Sequence, residues 1–269
     1  FAIFTPIFIL YPIAEIEVLA RKEVFLYIYF LGVIFLSDNK NYLNKYLDKF
    51  IIFVTPIVCL IYEQVVLFFP FVVACLVFHR KIKTFKYFLN TCLLFVPALL
   101  VVIYFFIFPL PMENHEIMKQ SLMQNFNERC YMSCELLRAN DLDNIGQIIL
   151  LYYADVPFNK MIIWVFRYFI IFFIGFFPLL FLSTHSKIKA NNFFSILGLN
   201  NILILMLFLY TPIIILFTVG TDWGRWIGML ISFATYFYFF LYKYNYIDVD
   251  FETISKKLIF FKNKRKFVL

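Results

Sequence analysis

The chain reads GTDWGRW at residues 220–226, where two long apolar runs, residues 202–219 and 226–242, meet. In this turn an acid, Asp222, and a base, Arg225, lie three residues apart. Ionisable residues among membrane-length apolar segments are costly, so each one suggests a need for its charge. The turn therefore predicts a polar site held at a membrane surface, between two helices.

The composition indicates an integral membrane protein. The chain is 63% hydrophobic and 15% charged, with a mean hydropathy of +0.84. A soluble domain is about 45–50% apolar and about 25% charged. Several apolar runs approach the roughly 20 residues that a helix needs to cross the hydrocarbon core. Apolar and polar residues do not alternate along these runs, which disfavours a β-barrel.

We therefore predict an all-α polytopic bundle with about seven or eight membrane spans. Residues 1–269 form one integral membrane domain, and the chain opens inside an apolar run on Phe1, which suggests a missing N-terminal part. Residues 109–160 form a small extracytoplasmic segment that covers the outer face, which we call the cap. Within it, Asp143 is a candidate N-cap residue for a helix at 145–153. The predicted spans are residues 1–19, 24–36, 50–78 (one or two spans), 87–108, 161–182, 195–219 and 226–242.

Residues 50–78 allow two interpretations. As one helix this stretch would be about 43 Å long, which exceeds the membrane thickness unless the helix tilts. As a hairpin turning at Glu63, it gives two short arms and places the lysine-bearing loop 38–49 beside the other basic loops. We favour the hairpin, which predicts that Glu63 lies at an outer turn near Asp222 and Arg225.

The basic residues orient the bundle. Loop 79–86 holds four lysines and arginines with no acid, loop 185–192 holds two lysines, and residues 262–266 form a basic tail. These segments belong in the cytoplasm by the positive-inside rule. The cap carries seven acids against four bases and lies outside, as does the turn at 220–226. Because the net charge of +7 is spread over such loops, it does not predict nucleic-acid binding.

Asp222 and Arg225 have a structural and a functional interpretation. They can share one helix face and form an ion pair that caps the last helix, with Trp223 and Trp226 in the interfacial aromatic belt. Alternatively, the planar guanidinium of Arg225 binds a phosphate or pyrophosphate, and Asp222 positions it or acts as a base.

Other charged residues are candidates by position. Glu63 is either functional or a surface turn residue, and Arg167 either snorkels to the headgroups or lines the outer pocket. The triplet Arg21-Lys22-Glu23 is expected on the same face as the Arg225 turn. Two weaker candidates in the cap, in a helix expected to be solvated, are His115 and Glu116.

The sequence lacks the motifs of several common enzyme classes. The sequence has no P-loop, no HEXXH metalloprotease helix and no GXSXG nucleophile elbow. Cys59, Cys75 and Cys92 lie in apolar runs and are expected in the core, while Cys130 and Cys134 lack the second pair that a zinc site needs. We therefore predict neither a metal nor a cofactor.

Four segments together resemble the O-antigen or exopolysaccharide polymerase-like proteins of bacterial surface-polysaccharide clusters. They are RKE at 21–23, YEQ at 62–64, FPF at 69–71 and DWGRW at 222–226, combined with one sizeable outer loop. The resemblance implies a multi-pass protein of the bacterial inner membrane. It also implies transfer of a sugar repeat between polyprenyl-pyrophosphate carriers on the outer face.

Such a transfer needs cations for the leaving pyrophosphate and a carboxylate for the attacking hydroxyl. The resemblance assigns the cationic role to Arg225, Arg167 and Arg21, and the acidic role to Glu63 and Asp222. Two further residues expected to contact the polyprenyl-linked glycan are Lys22 and Trp223. A glycosyltransferase using a polyprenyl-phosphate sugar is an alternative, as is a transporter or non-catalytic membrane subunit.

Overall fold

The computed structural model describes residues 23–38, 42–108, 110–127, 157–189, 192–219 and 223–256. Almost all of this structure is helical, as predicted for an all-α protein. The α-helices are α1 (Glu23–Leu36), α2 (Leu47–Ile61), α3 (Phe69–His79), α4 (Phe85–Cys92), α5 (Val96–Ile107), α6 (Met112–Phe126), α7 (Phe158–Thr184), α8 (Phe193–Ile196), α9 (Ile202–Tyr210), α10 (Ile214–Val219) and α11 (Trp223–Lys243). Short 3-10 segments are Tyr42–Tyr46, Glu63–Phe68, Leu93–Phe95 and Thr211–Ile213, and the two strands are β1 (Ser186–Ile188) and β2 (Ile247–Val249).

Two helical stretches are long and apolar enough to cross a membrane. One is Phe85–Ile107, which consists of α4, the 3-10 segment Leu93–Phe95 and α5. The other is α7. Their 23 and 27 residues correspond to about 34 Å and 40 Å of helix. The remaining apolar helices are shorter: Glu23–Leu36, Glu63–His79 and Ile202–Phe217.

Residues 50–78 form the predicted hairpin. Helix α2 ends at Ile61, and Tyr62 adopts an extended conformation with φ −151° and ψ 94°. The chain then returns through the 3-10 segment Glu63–Phe68 into α3. The far ends of the two arms meet, since Arg80 pairs with Asp48 and the amide of Asn44 lies 3.2 Å from the ring of His79. The prediction that the chain reverses at Glu63 is confirmed.

Contacts between helix ends define the two ends of the bundle. At the Arg225 end, the starts of α1 and α11 meet through Glu23 and Arg225. At the Lys243 end, Lys243 Nζ lies 3.9 Å from Asp38 Oδ2. Helices α1 and α11 therefore run parallel, and α2 runs against them. The chain reverses direction along the bundle, and the short loops around residues 80–84 and 185–189 lie at the Lys243 end.

Helices α3 and α11 form the centre of the core. Phe233 stacks on Phe30 with 4.5 Å between ring centroids, and it also packs against Phe68 and Phe71. Phe237 contacts Phe71 and lies in the same buried cluster. Because the large rings fill the bundle axis, they explain much of the aromatic content as packing.

The surrounding helices leave apolar side chains exposed on their outward faces. Five of the passes, meaning the helical segments that run from one end of the bundle to the other, share this property. A monomeric soluble protein rarely exposes apolar surface of this extent. Examples are Ile28, Leu31 and Phe35 on α1, Phe53, Ile57 and Leu60 on α2, Leu89, Leu93 and Leu100 on α4 and α5, Phe166, Phe169 and Phe173 on α7, and Ile204, Leu207 and Ile214 on α9 and α10.

Two parts of the predicted organisation are corrected. The span expected at residues 195–219 is interrupted, because Gly198 adopts φ +77° and Asn201 caps a new helix by accepting from Leu203 N–H. The basic loop predicted at residues 185–192 and the segment after the last helix also contribute two short strands that the sequence did not predict. Strand β1 pairs with β2 in an antiparallel ribbon in which Lys187 faces Asp248.

Candidate functional site

Four of the predicted site residues lie in the described part of the chain: Glu63, Arg167, Trp223 and Arg225. Three others fall outside the described residues: Arg21, Lys22 and Asp222. The predicted pairing of Asp222 with Arg225 therefore stays a prediction. The first span, residues 1–19, and the candidate cap Asp143 also lie outside the described residues.

Arg225 pairs with Glu23. The guanidinium Nε lies 3.1 Å from Glu23 Oε1, which joins the first turn of α11 to the start of α1. The side chain of Glu23 is 5% exposed and that of Arg225 is 21% exposed. The sequence placed residues 21–23 on the face of the Arg225 turn, but only the cations of that triplet were assigned a role. The acid of the triplet is the residue that contacts Arg225.

The environment of Glu23 makes this ion pair costly. Within the described part of the chain, neither carboxylate oxygen of Glu23 accepts a hydrogen bond. A buried charge without hydrogen bonds loses several kcal/mol of solvation, and an ion pair offsets that loss only in part. Such a pair is weak evidence for stability. It is better explained if the fixed orientation of Arg225 serves a function.

The hairpin turn lies against this ion pair. The Tyr62 hydroxyl is within electrostatic reach of Glu23, Arg225 and Glu63, and it receives a hydrogen bond from the indole of Trp226. The same hydroxyl donates to Gln64 Oε1. Tyr62 belongs to the segment YEQ at 62–64, but a tyrosine at the end of an apolar run carries no distinctive signal, so the sequence does not predict its role.

Glu63 is exposed and follows Tyr62 directly in the turn. The prediction that Glu63 lies at a turn, and not inside one continuous helix, is confirmed, while its predicted position near Asp222 concerns a residue outside the described ranges. The site thus combines an exposed carboxylate with a partly exposed guanidinium, both at the Arg225 end of the bundle.

Aromatic residues enclose the start of α11. Trp223 packs on Tyr168 and Trp226 on Phe217, with centroid distances of 5.8 Å and 5.5 Å. A Cβ atom on Gly224 would lie 3.3 Å from Tyr168 Cε1, so this glycine permits the close approach of α7. Trp226 is only 5% exposed and belongs to the core. This burial corrects the interpretation that placed both tryptophans in the interfacial belt.

Arg167 lies at the same level but on another face. It precedes Tyr168, which contacts the start of α11, and successive residues on a helix point about 100° apart. Its side chain is exposed. The structure therefore does not bring Arg167 into the group formed by Glu23, Tyr62 and Arg225.

The cap begins with the predicted helix. Helix α6 covers Ile117, Leu122 and Phe126, while Met132, Leu136, Leu137, Cys130 and Cys134 lie outside the described residues. His115 is 1% exposed, which corrects the expectation that this helix is solvated on that side. Glu116 is exposed and forms a pair with Lys119 at 4.0 Å.

The cysteines and acids of the described ranges do not form a metal site. Cys59 and Cys75 are buried and Cys92 is half-buried, all three as free thiols. No group of three His, Cys, Asp or Glu side chains in those ranges is placed to hold a metal ion.

Comparison with known protein families, with curated proteins and with solved structures gives no match to this chain. The function of the chain must therefore be inferred from the geometry of the site and from the bundle that positions it.

Proposed function

We propose that this chain is a multispan protein of the bacterial inner membrane. Two helices have the length and hydropathy of a span, and the described residues form seven passes with reversals at both ends. Exposed apolar side chains on the surrounding passes provide a surface suited to lipid. Helices that are individually short can cross a membrane when the bilayer thins around them or when flanking polar residues snorkel to the headgroups.

We place the Lys243 end in the cytoplasm. The described bases at this end outnumber the described acids two to one, which fits the positive-inside rule. The bases are Lys45, Lys49, Arg80, Lys81, Lys83, Lys86, Lys187, Lys189, Lys243 and Lys256, and the acids are Asp38, Asp48, Asp248, Asp250 and Glu252. The Arg225 end then faces the outer side.

At that outer end, we propose a site that transfers a sugar repeat from a polyprenyl-pyrophosphate carrier, as the resemblance implies. The observation that carries this proposal is the orientation of Arg225 by the buried carboxylate of Glu23, next to the exposed Glu63. A planar guanidinium matches the oxygens of a pyrophosphate and stabilises the charge that develops as it leaves.

Each residue then has a role. Arg225 binds the pyrophosphate, and Glu23 orients Arg225 without contacting the substrate. Glu63 accepts the proton of the attacking sugar hydroxyl as the hydroxyl oxygen bonds to the anomeric carbon of the transferred sugar and the bond from that carbon to the pyrophosphate oxygen breaks. The pyrophosphate leaves on its polyprenyl carrier.

Binding can be tested with the purified full-length chain and geranylgeranyl pyrophosphate, a short pyrophosphate lipid. Trp223 and Trp226 flank Arg225, so their fluorescence reports occupancy. We expect a saturable change, whereas geranylgeraniol, which lacks the pyrophosphate, gives none. Arg225→Gln should weaken binding roughly 10- to 100-fold, because hydrogen bonds to charged groups contribute about 1.5–3 kcal/mol. Arg225→Lys should also weaken it, because lysine lacks the planar fork.

The matched control is Lys160→Gln, which removes an exposed charge from the first turn of α7. It should leave the titration unchanged. Unaltered binding by Arg225→Gln at normal expression would overturn the proposed site.

Catalysis is tested separately with Glu63→Gln. This variant should bind geranylgeranyl pyrophosphate normally but should not extend a lipid-linked glycan. If glycan length stays normal while solute uptake or export changes, the chain is a transporter and not a transferase. Activity with a polyprenyl-monophosphate sugar alone would favour the glycosyltransferase alternative.

A further inference from the structure

A cluster of lysines forms one corner of the Lys243 end, where α2 begins and α3 turns into α4. We define the basic corner as Lys45, Lys49, Arg80, Lys81, Lys83 and Lys86. The acid next to it, Asp48, is already paired with Arg80. The hydrogen bond between Asn44 and His79 holds the same two segments together. The corner therefore carries several positive charges that no nearby described acid neutralises.

The lysines of this corner surround exposed aromatic rings. The ammonium groups of Lys45 and Lys49 lie 5.1 Å and 5.9 Å from the centroid of the Tyr46 ring. Tyr46 is 43% exposed, and Tyr87, which follows Lys86, is 63% exposed. Lysine and tyrosine together are typical of the headgroup region of a membrane.

The charges continue directly into apolar surface on the same helix faces. On α2, Lys49 is followed by Phe53 and Ile57 at four-residue spacing, so all three lie on one face. Lys86 on α4 is followed by Leu89 three residues later and by Leu93, the first residue of the next 3-10 segment, seven residues later, a spacing that also places them on one face. Leu89 is half exposed, and the other three apolar side chains are more than half exposed.

We propose that the basic corner binds an anionic phospholipid of the inner leaflet. The headgroup phosphate contacts Lys49 and Lys86, and the acyl chains lie along Phe53, Ile57, Leu89 and Leu93. Helix α2 packs against α5, and α5 continues the helical stretch that begins with α4, so the two lysine-bearing helix starts belong to neighbouring segments of the bundle. A nucleic acid or an acidic protein would match the charge but not the apolar surface that adjoins it. Clustered lysines at the cytoplasmic membrane surface attract anionic lipid.

This inference depends on the placement of the bundle in a membrane but not on the transfer reaction. The two can fail independently, because the basic corner and Arg225 lie at opposite ends of the bundle.

The test uses the full-length chain in detergent, offered equal amounts of phosphatidylglycerol and phosphatidylcholine. Native mass spectrometry counts the lipids that remain bound. We expect the wild-type chain to retain phosphatidylglycerol preferentially. The variant Lys49→Gln/Lys86→Gln should lose about 25-fold in phosphatidylglycerol affinity, since each lysine near an anionic surface contributes roughly a factor of five.

Two matched variants serve as controls. Lys187→Gln/Lys256→Gln removes the same charge from the same end of the bundle and should retain phosphatidylglycerol. Lys49→Arg/Lys86→Arg keeps the charge and should retain it too, which shows that the effect does not come from misfolding. The proposal would be overturned if Lys49→Gln/Lys86→Gln and Lys187→Gln/Lys256→Gln lost phosphatidylglycerol affinity equally. It would also be overturned if the wild-type chain showed no preference for phosphatidylglycerol. Displacement of the lipid by a short RNA would assign the corner to nucleic acid and would also overturn it.

Discussion

At the residue scale, the ion pair of Glu23 and Arg225 holds the candidate site at the start of α11. Their side chains come from helices at opposite ends of the chain, and both are largely removed from solvent. The sequence identified Arg225 because its charge follows an apolar run. It did not identify Glu23 as the partner, because Asp222 offered an acid only three residues away and nothing in the sequence shows that the start of α1 contacts the start of α11.

A double-mutant cycle measures this ion pair. We expect Glu23→Gln and Arg225→Gln each to destabilise the bundle, since each removes the ion pair that joins α1 to α11. The coupling between them should be about 1–3 kcal/mol, lower than for a fully buried pair because Arg225 keeps some solvent contact. Unfolding by dodecyl sulfate in mixed micelles provides the free energies. A coupling below about 0.3 kcal/mol would show that the two side chains act independently.

At the element scale, the reversal at Tyr62 positions the site. The length of residues 50–78 and the lysines of loop 38–49 were enough to predict this reversal. Other elements carried weaker signals. The strands β1 and β2 are three residues each, so alternation cannot reveal them. Gly198 and Asn201, which interrupt the helix, are both typical of a helix boundary. The apolar residues on both sides nevertheless suggested one continuous span.

Cross-linking tests the hairpin. In a chain without its native cysteines, Asp48→Cys and Arg80→Cys should be joined by a short bifunctional maleimide, because their native side chains form an ion pair. Linked peptides are identified by mass spectrometry. The control pair is Asp48→Cys with Glu63→Cys, which lie about 22 Å apart along α2 and should not be joined. Failure to join Asp48→Cys and Arg80→Cys, with both cysteines accessible to a single maleimide, would mean that residues 50–78 do not reverse.

At the scale of the whole molecule, the described chain has a basic end and an end that carries the candidate site. The aromatic core around Phe233 joins the central helices, and the surrounding helices expose apolar side chains on their outward faces. Composition and hydropathy predicted the helical class, and charge distribution predicted which loops share an end. The identity of the substrate does not follow from either, because a guanidinium and a carboxylate serve many reactions.

The orientation of the bundle is the claim on which the outer site depends. It can be measured by labelling single cysteines with a membrane-impermeant thiol reagent in intact cells, using a chain without its native cysteines. Glu63→Cys lies in the exposed turn at the Arg225 end, and Lys83→Cys lies in an exposed loop at the Lys243 end. We expect Glu63→Cys to react in intact cells and Lys83→Cys to react only after permeabilisation. Labelling of Lys83→Cys alone in intact cells would place the Arg225 site in the cytoplasm, and equal labelling of both would contradict a membrane-spanning bundle.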